Sequence, residues 1–131
     1  LSYLTFDEFN RHKGIFSEIL DEMLKNGPKW KNGEDVKHLR ERKQKKHVPS
    51  DMNVQQYNKI IMRLISEMKN KLILHYDGLK YVVSNGKWIV IIHPKGEVET
   101  CFPPDNCKTY LSRRGYQVIG KLEEVFNHVG F

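Results

Sequence analysis

A chain of 131 residues is long enough for one domain with a real core. Its 39% hydrophobic content is somewhat low and its 29% charge somewhat high, but neither reaches the level of a disordered chain, and the longest apolar run, Trp88 to Ile92, is far too short to span a bilayer. The net charge of +6 favours anionic partners: nucleic acid, an acidic protein or a membrane surface.

No signal-peptide pattern opens the chain. A start at Leu1 rather than methionine is what a fragment of a longer protein would show. Cys101 and Cys107 make no disulfide framework and read as two reduced thiols, a small bridge across Pro103 and Pro104 being the alternative. There is no CxxC pair and no HExxH helix, so no metal or other cofactor is expected.

In chain order, Thr5 and Glu8 form a capping box ahead of Phe6, Phe9, Phe16, Ile19, Leu20, Met23 and Leu24 at helical spacing. Gly27 and Pro28 stop that helix, and Gly14 is a candidate break within it. Trp30 sits in a polar connector, where it either plugs the edge of a core or offers a stacking face to a base.

The stretch from Lys37 to Lys46 holds six Lys or Arg and one acid, Glu41, with His38 inside it and His47 just beyond. Glu34 and Asp35 open it and cations close it, the order that suits a helix dipole. Val36 and Leu39 are its whole apolar stripe, so most of it faces solvent or a ligand. His38 and Arg42 are four apart and share a face. Pro49 biases Val48 away from helix, which puts His47 on a loop past the helix end. A block of this sign attracts phosphates, and histidine adds a proton that moves near neutral pH. A solvated basic helix with two incidental histidines has the same composition.

Asn53 and Gln56 mark another capped start, and Val54, Tyr57, Ile60, Ile61, Leu64, Ile65 and Met68 follow as the clearest amphipathic helix. From Lys71 the period becomes strand-like, giving Leu72–Tyr76, Leu79–Ser84, Lys87–His93 and Glu97–Phe102, with Asp77-Gly78, Asn85-Gly86 and Pro94-Lys95-Gly96 as turns. Alternation assigns Leu72, Leu74, Tyr76, Leu79, Tyr81, Val83, Trp88, Val90, Ile92, Val98, Thr100 and Phe102 to an apolar face. It leaves a mixed face with His75, Lys80, His93, Glu97, Glu99 and Cys101. After Pro104 the chain reads as one or two short helices, with Asn106 as a cap, Arg113 and Arg114 exposed, and Leu122, Val125 and Phe126 tied to the core. The expected fold is α+β in one domain, 1–131. A helical part (1–70) packs on one face of a four-stranded antiparallel meander (71–103), followed by a C-terminal helical segment (104–131).

The order of these signals carries a resemblance. His38-Leu39-Arg40-Glu41-Arg42-Lys43 is followed by Lys46-His47. A capped helix with an early tyrosine, Asn53-Val54-Gln55-Gln56-Tyr57, comes next. The hairpin sheet then ends in Lys95-Gly96-Glu97-Val98-Glu99-Thr100-Cys101-Phe102-Pro103. From Val36 to Pro103 the chain resembles the barnase-, EndoU-, colicin- and RelE-like (BECR) group of metal-independent ribonucleases, many of them C-terminal toxin domains of polymorphic or contact-dependent inhibition systems. The resemblance implies a small endoribonuclease toxin, often cutting tRNA, acting in the cytoplasm of a target cell after delivery as part of a secreted or cell-surface protein, with a cognate immunity protein as partner. It matches His38, His47 and Thr100 to site positions. Where the EndoU-like pattern has tyrosine before proline, this chain has Phe102, which donates no hydrogen bond.

The expected chemistry is attack of a ribose 2′-OH on the adjacent phosphorus, with His38 and His47 as acid and base. Arg42 clamps the phosphate and Thr100 orients it. Arg40, Lys43, Lys46, His93 and Lys95 bind RNA, and His93, at a strand end beside Lys95 and close to Glu97, is a rival acid–base group. A bulge near Gly96, or a sheet edge left uncovered, is needed to bring Thr100 into a cleft; otherwise it is a core-facing strand threonine. The competing class is a non-catalytic basic module that binds nucleic acid or an acidic protein by charge alone; insertion into a membrane is not expected.

Overall fold

The structure is a computed structural model that describes residues 5–67 and 72–123. Met68, Lys71, Val125 and Phe126, named above as helix, strand and packing positions, lie outside the described residues. In chain order the elements are α1 (Phe6–Asn26), β1 (Lys29–Trp30), α2 (Glu34–Gln44), α3 (Val54–Glu67), β2 (Ile73–Tyr76), β3 (Tyr81–Ser84), β4 (Ile89–Ile92), β5 (Glu97–Phe102), α4 (Cys107–Arg113) and β6 (Gln117–Lys121). The fold is α+β, with one open mixed sheet in the order β1-β5-β4-β3-β2-β6.

The expected four-stranded meander is the middle of this sheet, and each edge carries a strand that the residue pattern did not announce. Lys29 and Trp30 pair parallel to Glu97 and Val98. Gln117–Lys121, expected to be helical, pairs antiparallel to β2. Both gain their hydrogen bonds from strands far away in sequence, which local periodicity does not see. Ile119 and Leu122 enter the core from this edge.

Local chemistry starts the helices as expected. The Thr5 side chain accepts from Glu8 N, Asn53 and Gln56 cap each other reciprocally, and Asn106 Oδ1 accepts from Thr109 N. α1 runs unbroken through Gly14, because Phe16, Ile19, Leu20 and Met23 all bury against the sheet and outweigh the roughly 1 kcal/mol cost of one helical glycine. Phe6, expected within the apolar series, is 78% exposed.

The hairpins form one residue later than the dipeptides suggest. Asn85 N donates to Trp88 O, so the two-residue loop is Gly86-Lys87, with Gly86 at φ 90° in the first central position that a type II′ turn asks for. The Asp77 turn is likewise centred on Gly78-Leu79, which leaves Leu79 73% exposed in the loop. Each of these two pairings moves by two residues, so the residues of β2, β3 and β4 keep their expected faces. Leu74, Tyr81, Val83, Val90, Ile92 and Val98 join α1 and α3 in the main core.

The phase of β5 changes at Glu99. Ile92 pairs with Val98 and Ile91 with Thr100, leaving Glu99 as the extra residue of a bulge. Cys101 therefore turns into the main core. Thr100 and Phe102, expected on the apolar face, turn to the opposite side. That side is not an open polar surface either. Val82, Ile89 and Ile91 are buried there beneath Cys107 and Leu111, on and from α4. The two thiols sit in separate cores and are unbonded. No helix among the described residues is long and apolar enough to cross a membrane.

Candidate functional site

α2 packs against β5, with Leu39 as its buried anchor. Val36, the other apolar residue of the stripe, is 51% exposed, so Leu39 is the helix's one apolar anchor in the core. This leaves Glu34, Lys37 and His38 facing the bulged half of β5 across a cleft of about 580 Å3. Glu99 and Thr100, the two residues around the bulge, lie on its floor with Ile91. Asp77 and Lys80 come from the first hairpin, and Tyr110, Arg114 and Tyr116 close the α4 side.

His38 and Thr100, 62 residues apart in the chain, meet here with Nδ1 and Oγ1 in hydrogen-bond geometry at 3.2 Å. The other ring nitrogen, Nε2, lies 2.9 Å from Glu34 Oε2, and Glu41 Oε2 is 3.4 Å from Nδ1. The imidazole is thus held at both nitrogens. Trp30 backs it, the two rings lying 6.4 Å apart at 28°. Trp30 is itself fixed by donating from Nε1 to Asn58 Oδ1 at 2.7 Å and by packing on Tyr57. The core-edge role of this tryptophan and the aim of His38 are one arrangement.

Glu99 is the second focus. Its Oε2 accepts from Lys80 Nζ at 3.0 Å, and its Oε1 lies 3.4 Å from His93 Nε2 without meeting hydrogen-bond geometry. His93 stands behind Glu99 rather than in the cleft wall. Burial, then the negative charges of Asp77, Tyr110 and Glu99, push the Tyr116 pKa up.

The remaining expected residues separate from this group. Arg42 is 3% exposed and lies over the Phe102 ring at 5.0 Å, with NH2 3.5 Å from Glu41 Oε2 and Nε without a partner. It supports the cleft from beneath rather than clamping a ligand within it. His47 is turned away from the cleft. Lys46 takes φ 58°, the left-handed position that ends a helix, so Lys46 N bonds to Lys43 O and His47 N to Arg42 O. This turn lays His47 Nδ1 within 3.4 Å of Arg42 NH1. Burial, then the charges of Arg42 and Lys45, hold the His47 pKa below its usual value against the pull of Asp105. Arg40 and Lys46 are exposed and Lys43 half-buried on and beyond α2, and none of the three walls the cleft. Lys95 lines a different groove, formed with the C-terminal half of α1.

Of the expected site residues, then, His38 and Thr100 are brought together, and the His93 ring lies near the carboxylate of Glu99 rather than that of Glu97, outside the cleft wall. Lys80, Glu99, Tyr110 and Tyr116 were not singled out. Lys80, Glu99 and His93 do share the mixed face that alternation assigns, which was the available signal. Comparison with protein-family models, with curated proteins and with solved structures gives no match.

Proposed function

We propose that the chain is a metal-independent endoribonuclease that cuts RNA in the cleft between α2 and β5. A single juxtaposition supports the reading. An imidazole and a hydroxyl, delivered by a helix and a bulged strand, face each other in a groove that also carries a carboxylate, Glu99, and the cations Lys31, Lys37 and Lys80. Cleavage without a metal needs a base for the ribose 2′-OH, an acid for the leaving 5′-oxygen, and donors for the charge that grows on the phosphoryl oxygens. His38 and Glu99 form the acid–base pair. The 2′-oxygen bonds to phosphorus as the P–O5′ bond breaks. One member of the pair takes the 2′ proton and the other delivers a proton to the 5′-oxygen. Thr100 orients the phosphoryl group and the lysines hold the backbone. His47 has no part in the step; it braces Arg42.

The toxin setting, a tRNA target, action inside a target cell and an immunity partner follow from the resemblance, and the same digest reads the RNA target directly. Purified chain incubated with total RNA in chelator is expected to release fragments ending in 2′,3′-cyclic phosphate and beginning in 5′-hydroxyl. His38→Ala is expected to slow release by about 10²- to 10⁴-fold while the circular dichroism spectrum is unchanged. A linear 3′-phosphate as first product, or full activity in His38→Ala, refutes the reading. Salt-sensitive RNA binding without any cleavage by the unaltered chain returns the non-catalytic module instead.

A further inference from the structure

The α4 side of the cleft is built differently from the α2 side. Arg114 is exposed, and its guanidinium carbon lies 3.6 Å from the centroid of the Tyr110 ring. Its NH1 is turned back to the Tyr110 carbonyl at 3.4 Å, so the group lies flat on the ring instead of presenting its fork to the cleft. Tyr110 in turn meets Phe102 edge-on, at 5.2 Å and 77°, and Phe102 carries the buried Arg42 beneath it. The result is a continuous run of contacts, cation on ring, ring edge to ring, ring on cation, anchored through Phe102 to the bulged strand.

An arginine that grips phosphate uses its N–H fork, whereas an arginine laid flat on an aromatic ring offers a planar face. Nucleobases stack on both aromatic rings and guanidinium planes. A cleft of about 580 Å3 has room for a base as well as the phosphate beside it. We propose that Arg114, stacked on Tyr110, is the platform on which the cleft holds a nucleobase next to the bond to be cut, with purines favoured for their larger face. The inference rests on the reading of this cleft as an RNA site and adds to it the element that selects the base.

The test uses all-deoxy tetranucleotides, which bind but lack the 2′-OH needed for cleavage. They carry adenine, cytosine or an abasic sugar at one inner position and are titrated against the chain by fluorescence anisotropy. The adenine form is expected to bind about 5- to 150-fold more tightly than the abasic form, the range that base stacking spans, with cytosine between them. Arg114→Ala is expected to remove most of that difference. Tyr110→Phe keeps the ring and is expected to keep the difference, which separates stacking from any loss of packing on Phe102. Equal binding of adenine and abasic forms, or an undiminished difference in Arg114→Ala, overturns the platform. Matching oligonucleotides with one ribose at the same position then report cleavage separately. A chain that prefers adenine yet cuts nothing refutes the nuclease reading and upholds the platform. A chain that cuts all forms alike does the reverse.

Discussion

Replacing Tyr57 by Phe removes one oxygen from the middle of the molecule and leaves the packing intact. Tyr57 is fully buried in α3, and its hydroxyl donates to the backbone carbonyl of Cys101, the residue after Thr100. Burial raises the hydroxyl's pKa well above the ordinary tyrosine value, so it remains a donor at any pH the fold survives. The phenyl ring of the variant still fills the site against Trp30, and no cavity term enters. What is lost is one buried hydrogen bond whose acceptor stays behind, a cost of about 1–3 kcal/mol. For a chain of this size that lowers Tm by about 4–12 °C. Thermal denaturation followed by far-ultraviolet circular dichroism measures it. The hydroxyl touches strand backbone and not the cleft, so RNA cleavage well below Tm is expected to fall by less than about tenfold. A Tm within about 1 °C of the unaltered chain would refute the claim that this contact ties the bulged strand to α3.

Other expectations follow from the same contacts. Thr100→Val keeps the shape but loses the hydroxyl that faces His38, and should cut RNA about 10²-fold more slowly, while Thr100→Ser stays within about tenfold; equal rates for Val and Ser would show that the hydroxyl is idle. His12, His47 and His75 all have pKa values lowered chiefly by burial. The unfolded chain therefore binds protons that the folded one does not, and Tm should fall as pH drops below about 6.5 toward the folded values, with a flat profile across that window as the contrary result. Lys46→Gly relieves the left-handed conformation at the end of α2 and should raise stability by about 0.5–1 kcal/mol in urea titration; a loss would mean that the Lys46 side chain has a role of its own. Burial raises the pKa of both cysteines, so neither should react quickly with a thiol reagent at neutral pH, and two equivalents should appear on denaturation.

What could be read from the residues was what they decide locally. Thr5 with Glu8 and Asn53 with Gln56 specify their caps by side chains three positions apart, and the turn residues set the meander. The core faces followed from alternation as far as Val98. Beyond that, distant partners decide. Trp30 is a strand residue only because Val98 lies beside it, and Gln117–Lys121 only because β2 has an open edge. Arg42 looks like one more cation of a wet helix, yet the Phe102 ring that the bulge turns outward receives it. His47 was placed correctly past the helix end, but a lysine in a conformation that glycine usually takes sends it back along α2. The order of motifs named His38 and Thr100 separately as site residues; their contact needs the bulge, and alternation put Thr100 on the opposite side.

The bulge at Glu99 gives β5 two reading frames. Up to Val98 the odd–even rhythm serves one layer of the molecule, and from Thr100 onward it serves the other. Excising Glu99 would merge the frames into a regular ladder, with Val98 still opposite Ile92 and Thr100 still opposite Ile91. Excising Val98 or Cys101 instead would move side chains between layers. A shortening that ordinarily ruins a β-strand is thus tolerable at the bulge, which carries the carboxylate next to the histidine–threonine pair. The ladder itself does not need this residue, so its removal changes the groove and leaves the strand pairing in place.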